Sequence, residues 1–347
     1  MRLIARLLIL SLPLFSLSSE AETVSDLYQV REPVASQQPE ERDAALGRAL
    51  QTLVLRLTGD REAVKSPALA ELRQDPQQII SRYGYEEDHL LVDFDPVSTD
   101  RSLRQAGLSL WGANRPAILA WWLNDASDGS SLVGDGQSSA TLLRQAAQHR
   151  GLPLWLPIAD LNEQLLATAE NLGATEPEAL RDASERYAAD ALLAVRARED
   201  NGQWQAQWRL WLDDTREQGK VQGADQAALA DAVLLMVSER LAQRYVVAPG
   251  AATSLTLEVQ GADLGRYAEL QRILEPLAAQ LLKVEGDRLI YRITASVEQL
   301  RAQLALVHLQ EVTIEAQPVD ASQSLQPSTG EPTPQVLRRD DVLRFRW

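Results

Sequence analysis

The chain has 347 residues, 45% hydrophobic and 24% charged, with a formal net charge of −15 and no cysteine. That length allows two or three domains with sizeable cores. The acidic balance argues against nucleic acid and anionic lipid headgroups as partners, since both are bound by Lys/Arg clusters. The missing thiols exclude disulfides, thiolate catalysis, cysteine-ligated metals and a lipid-anchored bacterial lipoprotein.

At the N-terminus, Arg2 and Arg6 precede the apolar run Leu7 to Leu17, and Ser19 and Ala21 stand at the −3 and −1 positions of a cleavage site. That pattern predicts a secretory signal peptide over 1–21. The run falls short of the ~18 apolar residues of a membrane span, and no comparable stretch follows. A soluble, exported, periplasmic protein is expected. Removal of Arg2, Arg6 and Glu20 with the leader takes its charge from −15 to −16.

The first folded unit, 22–112, opens with a strand over Leu27 to Val34. A helix follows from Pro39 to Thr58, with Leu46, Leu50, Leu53, Val54 and Leu57 on one face and Gly59 as its stop. After an insert of open structure, "RYGYEEDHLLVDFDP" reads as a hairpin and "STDRSLRQAG" as a short helix. The order is β-α-β-β-α.

The middle unit, 113–250, begins with the strand in "RPAILAWWLNDASDG", which carries Trp121 and Trp122. Next come the helix "SATLLRQAAQHRG", the strand "LPLWLP" and two helices before Tyr187. Three strands follow, the first two joined by the hairpin signal Asn201-Gly202, and a long helix ends at Tyr245. Early helix–strand alternation implies a partly parallel sheet, and the late hairpins imply an antiparallel part. Neighbouring strand residues point to opposite faces, so Trp121 and Trp122 cannot line one groove. A strand apolar on both faces is covered on both sides. Trp204, Trp208 and Leu210 share a face, with Trp211 on the other. Most of the eight tryptophans are expected in cores.

The last unit, 251–317, repeats the first: strand "SLTLEVQG", a helix bent or split at Pro276, a hairpin turning at Glu285 to Asp287, and the helix "SVEQLRAQLALV". Pro318, Pro327, Pro332 and Pro334 mark 318–335 as a disordered linker. The tail, 336–347, ends in "VLRFRW". Leu343, Phe345 and Trp347 alternate with Arg344 and Arg346, as in a half-buried strand. This strand either completes a sheet of its own chain or docks on the sheet edge of a partner, with Leu343, Phe345 and Trp347 as the docking residues.

The fold class expected is α+β with an α/β centre: small β-α-β-β-α modules flanking a mixed-sheet domain. The residues "RALQTLVLRLTGD", "GANRPAILAWWL", "GLPLWLPIADL" and "YAADALLAVRA" resemble the uncharacterised proteobacterial envelope family known as domain of unknown function 2066, over about Val24 to Val312. The middle unit is similar to the N-terminal domain of TolB and to related domains of CsgG and LpoB. The three-part order is similar to the periplasmic flagellar protein FlgT. The resemblance implies docking on other envelope proteins, and it brings no catalytic residues or cofactor to transfer.

Several motifs carry chemistry in other proteins. "GDGQSS", Gly134 to Ser139, has G-x-G but lacks the third glycine or the Lys-Ser/Thr of nucleotide loops, so Ser138 or Ser139 reads as a helix cap. Asp125, Asp128 and Asp135 do not follow the calcium-loop template. His89, His149 and His308, the only histidines, fall one in each unit, without zinc or triad spacing. Asp93 and Asp95 share a strand face, as an acid–base pair does and as the wet side of a one-sided sheet also does. No metal, cofactor or catalytic residue is expected. The leading expectation is a non-enzymatic scaffold or accessory factor binding envelope proteins. The alternative is a peptidoglycan or glycan binder using exposed tryptophans.

Overall fold

The computed structural model describes residues 22–24, 26–126, 129–246, 253–274, 277, 279–312 and 342–347. The leader 1–21, Asp128, Pro276 and the linker 318–335 lie outside the described residues. The fold is mixed α+β, built on three sheets of three or more strands and one two-stranded pair.

That pair joins β1 (Glu22–Thr23) to a strand introduced below. The first sheet uses β2 (Gln29–Pro33), β3 (Ile80–Glu86) and β4 (His89–Phe94) in the order β2-β4-β3, all antiparallel. Helix α1 (Pro39–Thr58) lies on it. Proline at its first turn and Glu40 and Glu41 beside the positive end of its dipole favour its start. Leu46, Leu50, Leu53 and Leu57 pack on Val30, Leu90 and Val92, which alternate along the strands. Gly59 ends α1 with φ +61 and donates its N–H to Leu55 O. A Cβ there would sit 2.0 Å from Ala242 Cβ, so glycine serves both the cap and a close approach. The insert becomes α2 (Arg61–Lys65), α3 (Ala70–Gln74) and two single 3-10 turns; α4 (Pro96–Gln105) follows β4.

The central sheet uses β6 (Ile118–Ala126), β7 (Gly129–Leu132), β8 (Leu154–Trp155), β9 (Ala191–Asp200), β10 (Gln203–Leu212) and β11 (Thr215–Gly223), after β5 (Asn114–Arg115), which pairs with β1. Its order is β11-β10-β9-β6-β7, with β6 parallel to β9 and to β8 and the other pairs antiparallel. Helices α5 (Ala140–Arg150) and α9 (Gln226–Tyr245) contribute to one face; α6 (Leu161–Leu166), α7 (Ala169–Gly173) and α8 (Glu178–Ser184) contribute to the other. Three short helices therefore stand where two were expected. Trp122 and Trp208 join the core under α9, while Trp121 and Trp211 join the opposite core. Five tryptophans are buried, Trp155, Trp204 and Trp347 are half-buried, and none of the eight is exposed. Trp155, Trp204 and Trp347 are the tryptophans that keep part of their surface accessible. Trp111, which the sequence assigns to the first unit, inserts into the central core.

The third sheet uses β12 (Thr253–Gln260), β13 (Gln280–Glu285), β14 (Arg288–Ala295), β15 (Gln310–Glu311) and β16 (Val342–Arg346), in the order β13-β14-β12-β16-β15. Helices α10 (Leu264–Leu274) and α11 (Val297–Ala305) follow β12 and β14. The path β12-α10-β13-β14-α11 repeats β2-α1-β3-β4-α4, and in both the hairpin's second strand lies between its first strand and the unit's opening strand. The two units share a topology as well as an element order.

The tail decides between its two expected places. Strand β16 lies parallel to β12 within its own chain and antiparallel to β15. Leu343 and Phe345 are 9% and 3% exposed in the third core, and Arg266 covers the Trp347 ring at 5.4 Å. Of the two places expected for the tail the structure shows the internal one, and Leu343, Phe345 and Trp347, the residues offered for docking, are engaged within their own chain at the β12 edge. Deleting 336–347 should lower the thermal midpoint clearly, because it uncovers Leu257 and Val259 and leaves one side of β12 unpaired. An unchanged midpoint would show the strand to be dispensable to the fold.

Candidate functional site

The residues singled out by sequence are engaged in structure. Asp93 accepts from Gln29 Nε2 at 2.6 Å and pairs with Arg82 at 2.5 Å. Burial pushes its carboxyl up, but those two donors outweigh it and hold the pKa below the usual range. Asp95 caps α4, accepting from the Ser98 hydroxyl at 2.6 Å and the Ser98 N–H at 2.8 Å, which also hold it low. Both carboxylates hold local structure: Asp93 ties β4 to β2 and β3, and Asp95 caps α4.

In "GDGQSS" the anticipated serine cap is not made: Ser139 is the N-cap residue of α5 without a side-chain capping bond. A backbone turn leads into the helix instead, with Ala140 N–H donating to Gln137 O. Gly134 has a packing reason, because a Cβ there would lie 2.5 Å from Ala159 Cβ. Asp125 accepts from Ser130 at 2.8 Å and pairs with Arg196, and Asp135 pairs with Arg144. Among the described residues, no group of three or more His, Asp or Glu side chains is placed to hold a metal.

His149 is the one histidine with three polar neighbours from other elements. Its Nε2 lies 3.3 Å from Thr52 Oγ1 on α1 and 3.6 Å from Glu32 on β2; its Nδ1 lies 3.1 Å from Asp231 on α9. Hydroxyl, imidazole and carboxylate are thus in line, as in a nucleophilic triad. Thr52 donates to Glu32 at 2.7 Å, however, and both are buried. The hydroxyl is already committed, so the cluster serves as a lock between the first sheet and the central one.

Charge sets when that lock holds. Burial pulls His149 down, but hydrogen bonds to Asp231 and Glu32 prevail and raise it above 6.5. Burial likewise pushes Glu32 and Asp231 up, and their bonds to His149 and to Thr52 or Arg150 hold both below their ordinary 4.5 and 3.8. Arg48 stands 3.8 Å from Glu32, adding to the same field. The histidine's contribution is complete below 6.5 and is lost as pH rises through its raised folded value. The carboxylates' contribution is present above their ordinary values and is lost as pH falls through the depressed ones. Stability should therefore peak in mild acid, and His149→Gln should flatten the decline on the alkaline side in denaturant titrations. The same decline in both proteins would contradict this.

Two buried arginines complete the joint. Arg56 on α1 donates to the carbonyls of Asp26, Leu27 and Gln29, at 3.2, 2.9 and 2.7 Å, and to His149 O. Arg115 on β5 donates to the carbonyls of Gly112, Arg150, Gly151, Arg56 and Trp111. Its guanidinium lies 4.1 Å from the centre of the Trp111 ring, which stacks on Tyr245 at 5.9 Å. Burial pulls Arg115 to about 9 and Arg56 to about 10, so both stay protonated at neutral pH. Strand pairing alternates, so the carbonyls of Leu27, Gln29 and Pro33 point away from β4. Arg56 takes the first two and Arg48 the third, at 2.8 Å. Arginines thus cover the edge of β2, where β16 covers the matching edge of β12.

The surface feature that the sequence reading missed lies on α6. Ile158, Leu161 and Leu165 are 67%, 73% and 69% exposed. Leu161 and Leu165 are one helical turn apart and share a face. The segment is tightly built. Asp160 and Glu163 form a capping box, and Glu163, itself buried, also accepts from Ala159 N–H at 2.7 Å, from Tyr187 Oη at 2.6 Å and from Arg186. Tyr187 Oη accepts from Ile158 N–H at 2.8 Å, and Gln164 reaches Ala159 O at 2.6 Å. Ala159 takes φ +60, a conformation costly for a residue with a Cβ. From Asp160 to Tyr187 stand seven carboxylates against Arg181 and Arg186, so the segment that carries the apolar face is acidic in composition.

Comparison with known proteins identifies one part of the chain. Residues 21–112 match a family model described as Domain of unknown function (DUF8605). The match covers the first sheet and its helices and stops two residues before β5. Its designation differs from the one that the sequence motifs resemble. No curated protein and no solved structure matches the chain. Among the described residues, no helix is long and apolar enough to cross a membrane.

Proposed function

We propose that this is an exported, periplasmic, non-enzymatic interaction protein, a scaffold or accessory factor that docks on other cell-envelope proteins through α6. The observation that carries the reading is the apolar triplet Ile158, Leu161 and Leu165, held outward on a segment whose backbone is strained and heavily hydrogen-bonded. An amphipathic helix ordinarily buries its leucines. Here Glu163 occupies the inward place and fixes the turn, while the leucines face solvent. Burying one such side chain against a partner contributes roughly 1.5–3 kcal/mol. The sequence resemblance to envelope-binding families and the predicted leader support the same reading, and the acidic composition of 160–187 favours a partner whose apolar patch is edged by basic residues.

Replacing Leu161 and Leu165 together by Asp tests it. Both side chains are mostly solvated, so each change should alter stability by no more than ~0.5 kcal/mol. The wild-type chain should recover a defined protein from a crosslinked envelope fraction, and the double variant should not. Equal recovery by both would remove α6 as the docking face.

A further inference from the structure

The central sheet carries a second surface of different chemistry. Beyond the part covered by α7 and α8, the strands β9, β10 and β11 form the floor of a shallow depression of about 370 Å³. Register places its side chains in two rows. Arg198, Gln205 and Gln222 are cross-strand neighbours, and so are Arg196, Gln207 and Lys220. All six sit on one face, because they are paired across strands or two apart along them. Ala197 and Ala206 between them point into the opposite core.

The charge on this face is unusual for the chain. Arg196 is paired with Asp125, but Arg198 and Lys220 have no ion-pair or hydrogen-bond partner among the described residues. Three cations and three amides thus line one depression on a protein of net charge −15, with Asp125, paired with Arg196 and cross-strand from Arg198, as a shared counter-charge. A surplus of cations placed together repels, and that cost is relieved when a further anion binds between them.

We propose that this face binds an extended acidic peptide segment of a partner protein. Strand spacing puts Arg198 and Lys220 on the order of 10–12 Å apart at Cα, two strands across and one residue pair along. Carboxylates four residues apart on an extended chain share a face and lie roughly 13 Å apart, within reach of these two long side chains. The glutamine amides between them offer donors and acceptors to peptide groups, which recur at similar intervals. A glycan is disfavoured because none of the lining residues is aromatic, leaving no platform for a sugar ring. This surface is separate in its chemistry from the apolar face of α6 and does not depend on it.

The test uses the full chain and a fluorescein-labelled ten-residue peptide with glutamate at every second position, so that the carboxylates share a face, followed by fluorescence anisotropy. Wild-type protein should bind saturably at low ionic strength and more weakly as salt is added. Arg198→Glu combined with Lys220→Glu should weaken binding at least tenfold, and the milder pair Arg198→Gln with Lys220→Gln should fall between. Lys65→Glu, an equally exposed charge reversal on α2, should leave binding unchanged. All three positions are solvent-facing, and thermal midpoints are compared so that a fold defect is not read as lost binding. No saturable binding by wild type, an unaffected charge-reversal pair, or an equal loss in Lys65→Glu would overturn the proposal. So would tighter binding of a carboxylated oligosaccharide than of the peptide through the same residues.

Discussion

Arg115→Ala should destabilise the protein by about 3–5 kcal/mol, the range for breaking one side of a buried charged network. The side chain is fully buried and supplies donors to five backbone carbonyls from the chain around Trp111, from the end of α1 and from the end of α5. Each carbonyl left unpaired costs roughly 1–3 kcal/mol. Removing a guanidinium that has no carboxylate partner returns part of its desolvation cost, so the sum is not reached. Arg115→Lys should be nearly as harmful. An ammonium offers three donors on a flexible stem, in place of five in a planar fork, and cannot stack on Trp111 in the same way. Urea unfolding measures both variants, and a wild-type midpoint in either would contradict the role assigned to this joint.

Trp121→Ala should cost a similar ~3–5 kcal/mol, from a different cause. Trp121 is fully buried beneath α8, among Leu119, Leu123, Leu180 and Trp211, and donates Nε1–H to Ser184 Oγ at 3.0 Å. Alanine removes the ring's transfer energy and leaves a cavity that strands β6 and β9 are too constrained to close. Trp204→Ala, at a half-buried position beside the other core, should cost clearly less. Differential scanning calorimetry separates them. An unchanged midpoint for Trp121→Ala would mean that its ring is solvated, and would make sugar stacking a function to consider.

Local signals made much of this architecture legible. The leucine face of α1 and its Gly59 stop mark a helix over the residues that form it. Asn201 and Gly202 both take positive φ, as the tight turn between β9 and β10 requires. The repeated β-α-β-β-α order survives as a shared strand order in the first and third sheets. What was not legible depends on contacts distant in sequence. Nothing in "VLRFRW" says that its edge is β12, 86 positions away as Arg344 meets Glu258. Arg56 and Arg115 look like ordinary charges in the sequence. They are buried because the carbonyls that need them come from β2, α1 and α5 together.

The α6 face was hidden for a more instructive reason. Leu161, Leu165 and Leu166 follow an apolar rhythm that predicts burial. The capping box turns the helix so that Glu163 faces inward, and only Leu166 of the three leans on the core. A local hydrogen-bonding motif overrides hydrophobic periodicity there, and the exposed leucines are what the override leaves. Local chemistry also separates Asp93 from Asp95, since an arginine holds the first on β4 and the second leaves the strand to cap α4.

The central claim is that α6 presents a docking surface, and in-cell crosslinking tests it most directly. A photo-reactive amino acid is placed at Leu161 and, separately, at Val97, which is 65% exposed on α4 of the first sheet. Irradiation of intact cells should give one discrete adduct of defined mass from position 161 and none from position 97. That adduct should disappear when Leu165→Asp is added. No adduct at 161, or the same adduct from both positions, would contradict the account.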